Sequence, residues 1–175
     1  AVRDGIEAAA GRAGGGSHPG TPLAGGNARP GVVRVGGTVR KPATPSSRGI
    51  QSYMRLLRDR GIDLPEPLGF DAQGRSVTEF VPGPLAMDSP ALSPGQLRTV
   101  GAMVRAIHDA SVGIDGDDLG LGPALIPIPA PDLVCHGDLT PWNLVLGERW
   151  VFIDWDGAAA SSRVWDLAYS AQALT

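Results

Sequence analysis

A chain of 175 residues, 42% hydrophobic and 19% charged, fits one domain or two small lobes and is long enough to bury a core without covalent staples. The formal net charge of −3 argues against nucleic acid as the main partner, because a phosphate backbone selects a basic face. The single cysteine, Cys135, excludes an internal disulfide and a multi-cysteine zinc site. No apolar run approaches the roughly 18 to 20 residues of a membrane helix, so the expected setting is the cytoplasm, without a membrane partner.

Residues 1 to 22 are rich in Ala, Gly and Pro, and Arg3, Asp4 and Glu7 interrupt any signal-peptide core. They read as a flexible tail with at most a weak helix over 1 to 13. "LAGGNA", residues 23 to 28, is a short glycine loop, and a plain entry into the next hairpin is one reading of it. "GVVRVGGTVRK" sets Val33, Val35 and Val39 around Gly36 and Gly37, a favoured two-residue hairpin turn. From 47 to 60, Ile50, Tyr53, Met54 and Leu57 recur at helical spacing, and Gly61 ends the helix. Two short strands follow around a turn at 71 to 74, and Pro82 with Gly83 breaks the second.

Ser93, Pro94 and Gln96 form a helix start with a capping box, and Leu97, Val100, Val104 and Ile107 are the buried stripe of that helix. Residues 112 to 132 read as loop. "CHGDLTPWNLVLGE" then leads into a hairpin. A last helix carries Val164, Leu167, Ala168, Ala171 and Leu174, with no Gly, Asn or Pro to close it before Thr175. With Ala1 in place of an initiator methionine, the expectation is a chain shortened at its C-terminus. The element order predicts an α+β, two-lobed architecture. A tail over 1 to 22 precedes a sheet-rich lobe over 23 to 83 and a helical lobe over 84 to 175. Pro82, Gly83 and Pro84 are the expected hinge, beside a cleft suited to a ligand.

The chemistry concentrates at 135 to 154. If Glu148 and Arg149 sit at the hairpin tip, residue 147 pairs with 150, and Asn143 falls opposite Asp154. Paired residues share a face, so two hard oxygen donors would meet at the open end, a set suited to Mg²⁺. Asp138, on the loop before the hairpin, can reach the same cleft as a general base. Metal ligands, a base and a glycine loop together point to phosphoryl transfer. Taken singly, Asp138, Asn143 and Asp154 also suit turn and strand-end capping. Asp156 is a second acid of the site or a turn former. His136 and His108 suit structural roles, and the four tryptophans suit core or cleft wall.

"HGDLTPWN" followed by "FIDWD" resembles the aminoglycoside phosphotransferase and choline kinase-like family, relatives of the protein kinases, over about residues 22 to 174. The resemblance implies a two-lobed protein-kinase-like fold, ATP and Mg²⁺ as cofactors, and a small-molecule acceptor. It implies Asp138 as catalytic base, His136 as organiser of the catalytic loop, and Asn143 and Asp154 as metal ligands. Asp166, in "VWDLAY", resembles the aspartate that braces the loop. Gly25 and Gly26 fall in the nucleotide loop, and Glu79, Phe80 and Val81 in the connector whose backbone holds adenine. Arg40 aligns with the cation that meets ATP phosphates, with Lys41 beside it. The helix after it carries no glutamate to pair with that cation; Gln51 or Ser52 stands there.

The leading expectation is a kinase that moves the γ-phosphoryl group of ATP to a hydroxyl of an aminoglycoside, choline, sugar or amino alcohol. An inactive nucleotide-binding protein, or a fragment of such a kinase, is the alternative. A third reading, a non-haem iron oxygenase, takes His136 and Asp138 as two arms of a facial triad. It needs a second histidine, and only His18 and His108 are available.

Overall fold

The computed structural model describes residues 20 to 23 and 31 to 174. The first half is a five-stranded antiparallel sheet in the order β1-β2-β3-β5-β4. Its strands are β1 (Thr21–Pro22), β2 (Val33–Val35), β3 (Thr38–Lys41), β4 (Pro67–Phe70) and β5 (Ser76–Glu79). The β2–β3 hairpin closes at Gly36 and Gly37, with Gly36 at φ 59°, where glycine carries no steric penalty. The β4–β5 turn is built by Asp71, whose carboxylate accepts from the backbone N–H of Gln73 and of Arg75. Strand β1 pairs with β2 from within the stretch read as tail. Two residues are too short to carry a period-2 signal.

Between β3 and β4 runs α1 (Ser47–Asp59). Ile50, Tyr53, Met54 and Leu57 face inward, as the spacing predicts. The helix stops in a Schellman closure. Gly61, at φ 87°, donates to the Arg58 carbonyl, and Ile62 donates back to Leu57. Gln51 is buried and its amide is spent inside the lobe: it donates to Ser76 Oγ and the Val77 carbonyl and accepts from Gly69 N–H. It therefore ties α1 to β4 and β5.

The second half contains α2 (Pro94–Ser111), β6 (Leu133–Cys135), β7 (Leu144–Leu146), β8 (Trp150–Phe152), β9 (Ala159–Ser161) and α3 (Arg163–Leu174). The capping box at Ser93 and Gln96 is formed. Strands β7 and β8 make the expected hairpin, and β6 pairs with β9, a contact between residues 133 to 135 and 159 to 161 that local pattern does not announce. One core joins Tyr53 and Leu57 of α1, Val100, Val104 and Ile107 of α2, and Leu139, Leu144, Phe152 and Trp155 of the loop and hairpin. Each fully buried side chain of this kind contributes about 1.5 to 3 kcal/mol. The Tyr53 hydroxyl is satisfied inside that core by Ser111 Oγ at 2.7 Å and the Val134 carbonyl at 3.1 Å.

The apolar stripe of α3 is not its buried side: Asp166 and Ser170 face inward, while Val164 is 78% and Leu167 50% exposed. Polar partners, not hydrophobic burial, orient that helix. The segment at 82 to 84 lies against the β7–β8 hairpin. Leu146 N–H donates to the Pro84 carbonyl, Leu85 bridges to Val145, and Gly83, at φ 148°, packs against Gly147 so closely that neither position has room for a Cβ. Val81 shares a small apolar cluster with Val145 and Val151. Arg149, from the hairpin turn, reaches the sheet side, where it pairs with Asp63 and with Glu79 at 2.5 Å.

Candidate active site

The hairpin runs one register step away from the expected one. Leu144 pairs with Phe152 and Leu146 with Trp150, leaving Gly147, Glu148 and Arg149 as a three-residue turn. Asn143 therefore lies opposite Ile153, whose N–H donates to the Asn143 carbonyl at 2.8 Å. Asp154 comes next, at φ 59° and ψ 64°, the one positive-φ residue other than glycine among the described residues. A left-handed aspartate breaks the strand alternation, so its side chain follows a turn rather than the pleat. Strain of this sort is concentrated at functional positions.

Lys41, at the end of β3, reaches that turn. Its Nζ lies 2.5 Å from Asp154 Oδ1 and 3.3 Å from Asp156 Oδ2. Burial alone would lower the lysine pKa, but Asp156 and Asp154 outweigh it and hold the ammonium above its ordinary range. Burial would raise Asp154; the Lys41 charge outweighs it and keeps the carboxyl below the usual range. The Asp154 side chain is 47% exposed, so the pair is screened and its net worth is about 1 kcal/mol or less. Arg40 points the other way, toward Asp71 at 3.4 Å. Neighbours on a strand face opposite sides, and Arg40, the position to which the family resemblance points, is the one that faces away. Gln51 makes no contact with Lys41; the acids facing that cation come from the turn after β8.

The residues of the loop from 136 to 143 form a tight knot. The 3₁₀ turn Pro141–Asn143 folds Trp142 and Asn143 back over Asp138. Asn143 Nδ2 donates to Asp138 Oδ2 at 2.8 Å and to the Asp138 carbonyl at 3.0 Å, and Trp142 Nε1 donates to the same Oδ2 at 3.1 Å. Asp138 Oδ1 is shielded and has no hydrogen-bond partner. His136 is buried against Trp155 and Phe152. Its Nδ1 accepts from Asp138 N–H, so Nε2 carries the proton and donates to the Ile153 carbonyl at 3.1 Å. Burial pushes its pKa down against the pull of nearby carboxylates, and the ring stays neutral. Both nitrogens are committed to backbone, which leaves none for iron. The facial-triad reading fails on that ground.

Asp166, 1% exposed, holds the loop from behind: Oδ1 accepts from Gly137 N–H at 3.1 Å, and Oδ2 lies 2.8 Å from His108 Nε2. The Cys135 thiol belongs to the same buried group, with ligand atoms of the three residues within 4.8 Å of one another. Burial, then the Asp166 and Asp132 charges, push that thiol up, so it stays protonated. Tyr169 of α3 is raised by burial and then by the charge of Asp138, which puts the phenol in range of the loop aspartate.

The structure thus joins Asp138, His136, Asn143 and Asp166 in one knot and Lys41 with Asp154 in a facing pair. It separates Arg40 from both. Glu79 is spent on Arg149 and the Glu66 N–H. Phe80 lies under the Arg34 guanidinium at 3.7 Å, and its N–H donates to Gly37. Gly25 and Gly26 lie outside the described residues. Three neighbours of the site were not read as such in the sequence. Trp142 was taken for core or wall, Tyr169 went unmarked, and Arg149 was a turn residue; the Pro before Trp142 was the one local cue.

Residues 121–175 match the model of the phosphotransferase enzyme family, a span that contains the loop, the hairpin and α3. No curated protein matches the chain. Among solved structures, the spectinomycin phosphotransferase APH(9)-Ia, determined in complex with ADP and spectinomycin, is similar with a TM-score of 0.59. The identity is 17%, over 79% of this chain and 62% of that one, a level that speaks to fold. A choline/ethanolamine kinase family protein from Mesorhizobium loti is 21% identical over 80% of this chain and 59% of its own, at a TM-score of 0.46. The chain spans less than two thirds of the length of either. Residues 121–175, the segment that carries the loop and the hairpin, are thus similar to the phosphotransferase enzyme family, and the α+β architecture of the chain is the kinase-like fold.

Proposed function

We propose that this chain carries the machinery of a small-molecule kinase that moves the γ-phosphoryl group of ATP to a hydroxyl. The observation that carries the reading is the asymmetry of Asp138: two N–H donors hold Oδ2, and Oδ1, shielded from solvent, has no hydrogen-bond partner. A carboxylate so held is ready to accept one proton in one direction. In the proposed step, the Asp138 carboxylate takes the proton of the acceptor hydroxyl as the hydroxyl oxygen bonds to the γ-phosphorus and the bond to the leaving ADP oxygen breaks. Lys41 supplies positive charge for the phosphates, with its hold on Asp154 weak enough to exchange.

The donor chemistry fits Mg²⁺. The amide nitrogen of Asn143 is committed to Asp138, so its oxygen is the atom that would hold an ion, and Asp154 adds a carboxylate; both are hard oxygen donors. Bound there, the ion would neutralise phosphate charge. Glu79, Phe80 and Val81 are the proposed adenine connector, Gly25 and Gly26 the phosphate loop, and Asp166 the brace. The lobes divide, in this reading, at 82 to 84. Among the described residues no helix is long and apolar enough to cross a membrane, and we place the reaction in the cytoplasm, where ATP is plentiful. The acceptor class is an aminoglycoside, choline, sugar or amino alcohol.

A second reading, nucleotide binding without turnover, is favoured by one observation: α1 offers Lys41 no glutamate, and its glutamine is used elsewhere. A screen of hydroxyl acceptors with Mg·ATP separates the two. Asp138→Ala is expected to keep ATP binding and to lose about 10²- to 10⁴-fold in turnover, the usual worth of a general base. Turnover unchanged in that variant rules out the base assignment.

A further inference from the structure

We infer that Trp142 is a positioning residue for the base: its indole N–H, with the Asn143 amide, pins Asp138 Oδ2 and so fixes the orientation of the carboxylate. The inference deepens the kinase reading and rests on it.

Pro141 fixes the backbone that opens the 3₁₀ turn Pro141–Asn143, and Asn143 N–H closes it on the Thr140 carbonyl at 3.0 Å. That turn brings residues four and five places after Asp138 back onto its carboxylate. Both donors choose the same oxygen, at 3.1 Å from the indole and 2.8 Å from the amide. Hydrogen bonds to an ionised oxygen are about twice as strong as neutral ones, so the carboxylate is held against rotation about its Cβ–Cγ bond.

The two donors differ in kind. The Asn143 amide has an oxygen as well as a nitrogen, and the proposed role of that oxygen is to face a cation. An indole has only a donor; it cannot flip to offer an acceptor and it cannot take the proton. Trp142 therefore fixes which oxygen is engaged, whatever Asn143 does. An indole placed merely to fill space would not need its nitrogen over this atom. Trp142 is half-buried at the loop surface, where its N–H could have met water.

The test uses the full chain, Mg·ATP and water as the phosphoryl acceptor, with ¹⁵N-labelled protein for the indole signals. Four tryptophans give four indole N–H resonances. The Trp142 signal is the one that Trp142→Phe removes. Asp138→Ala is expected to move that signal and leave the other three in place. Trp142→Phe keeps the ring and loses the donor; it is expected to lower kcat about tenfold, a part of the 10²- to 10⁴-fold worth of the base, with KM for ATP within about twofold. A merely structural tryptophan would shift KM and kcat together or disturb the remaining signals. An indole signal unmoved by Asp138→Ala overturns the inference. So does full kcat in Trp142→Phe while Asp138→Ala abolishes turnover, an outcome that leaves the kinase reading standing. Turnover untouched by Asp138→Ala removes the base and the positioning role together. Where turnover with water is too slow to measure, the indole signal decides alone.

Discussion

Asp166→Ala removes the carboxylate behind the catalytic loop, and its cost can be worked out donor by donor. Asp166 satisfies two groups: Gly137 N–H at 3.1 Å and the ring nitrogen of His108 at 2.8 Å. His108 is 3% exposed, so its stranded nitrogen bears a desolvation penalty of about 1 to 3 kcal/mol. Gly137 is exposed, and water can replace its lost partner, so that bond contributes only about 0.5 to 1.5 kcal/mol. The expected loss is therefore about 2 to 4 kcal/mol, a large part of the 5 to 15 kcal/mol typical of a domain. Urea unfolding of the single variants and of the double variant with His108→Ala measures it. Because His108 has lost its reason to be polar once Asp166 is gone, the second change should be cheaper in the double variant, with a coupling of about 1 to 2 kcal/mol. A loss under about 1 kcal/mol for Asp166→Ala, or additive single changes, would show that the buried pair does not hold the loop.

Three further outcomes are expected. Lys41→Ala should weaken Mg·ATP binding about tenfold or more, as loss of one phosphate-facing charge near 1.4 kcal/mol implies, while Arg40→Ala changes it less than twofold; calorimetry that ranks them in the opposite order would return the role to Arg40. His136 is held neutral by burial, so its folded pKa lies below the unfolded value of about 6.5. Its stabilising contribution is complete above about pH 6.5 and is lost as pH falls through the folded pKa. The urea midpoint should thus drop between pH 7.5 and 5.5, and His136→Asn should flatten that drop. The lowered carboxylates Asp154 and Glu79 lose their contributions only below about pH 4, outside this window. Arg149→Ala cuts the tie to Glu79 and Asp63; with the guanidinium 35% exposed, the stability loss should stay near 1 kcal/mol in thermal unfolding, and a larger loss would mean the turn itself depends on it.

Much of the fold follows from local rules that the chain spells out. Ser93 with Gln96 starts α2, Gly61 stops α1, Gly36 and Gly37 turn the first hairpin, and the spacing of Ile50, Tyr53, Met54 and Leu57 gives α1 its buried face. Each is a matter of a few residues in contact with near neighbours. The candidate site was legible for the same reason: Asp138, Asn143 and Asp154 lie within 17 positions of one another on a loop and one hairpin.

What the sequence left undetermined depends on contacts between distant segments or on a one-residue difference in geometry. The hairpin register turns on whether the loop holds two residues or three, and one step changes the partner of Asn143 from Asp154 to Ile153. Strand alternation says that Arg40 and Lys41 face opposite ways; only the turn carrying Asp154 and Asp156, 113 and 115 positions later, says which way the cleft lies. The stripe of α3 reads as a core face, yet the pull of His108 and Gly137 on Asp166 turns another side inward. The sequence by itself determined most of the elements and gathered the candidate residues of the loop, because those rest on neighbours in the chain. The tertiary structure alone decided which cation meets the acids and which side of α3 is buried, because each depends on what another segment brings to it.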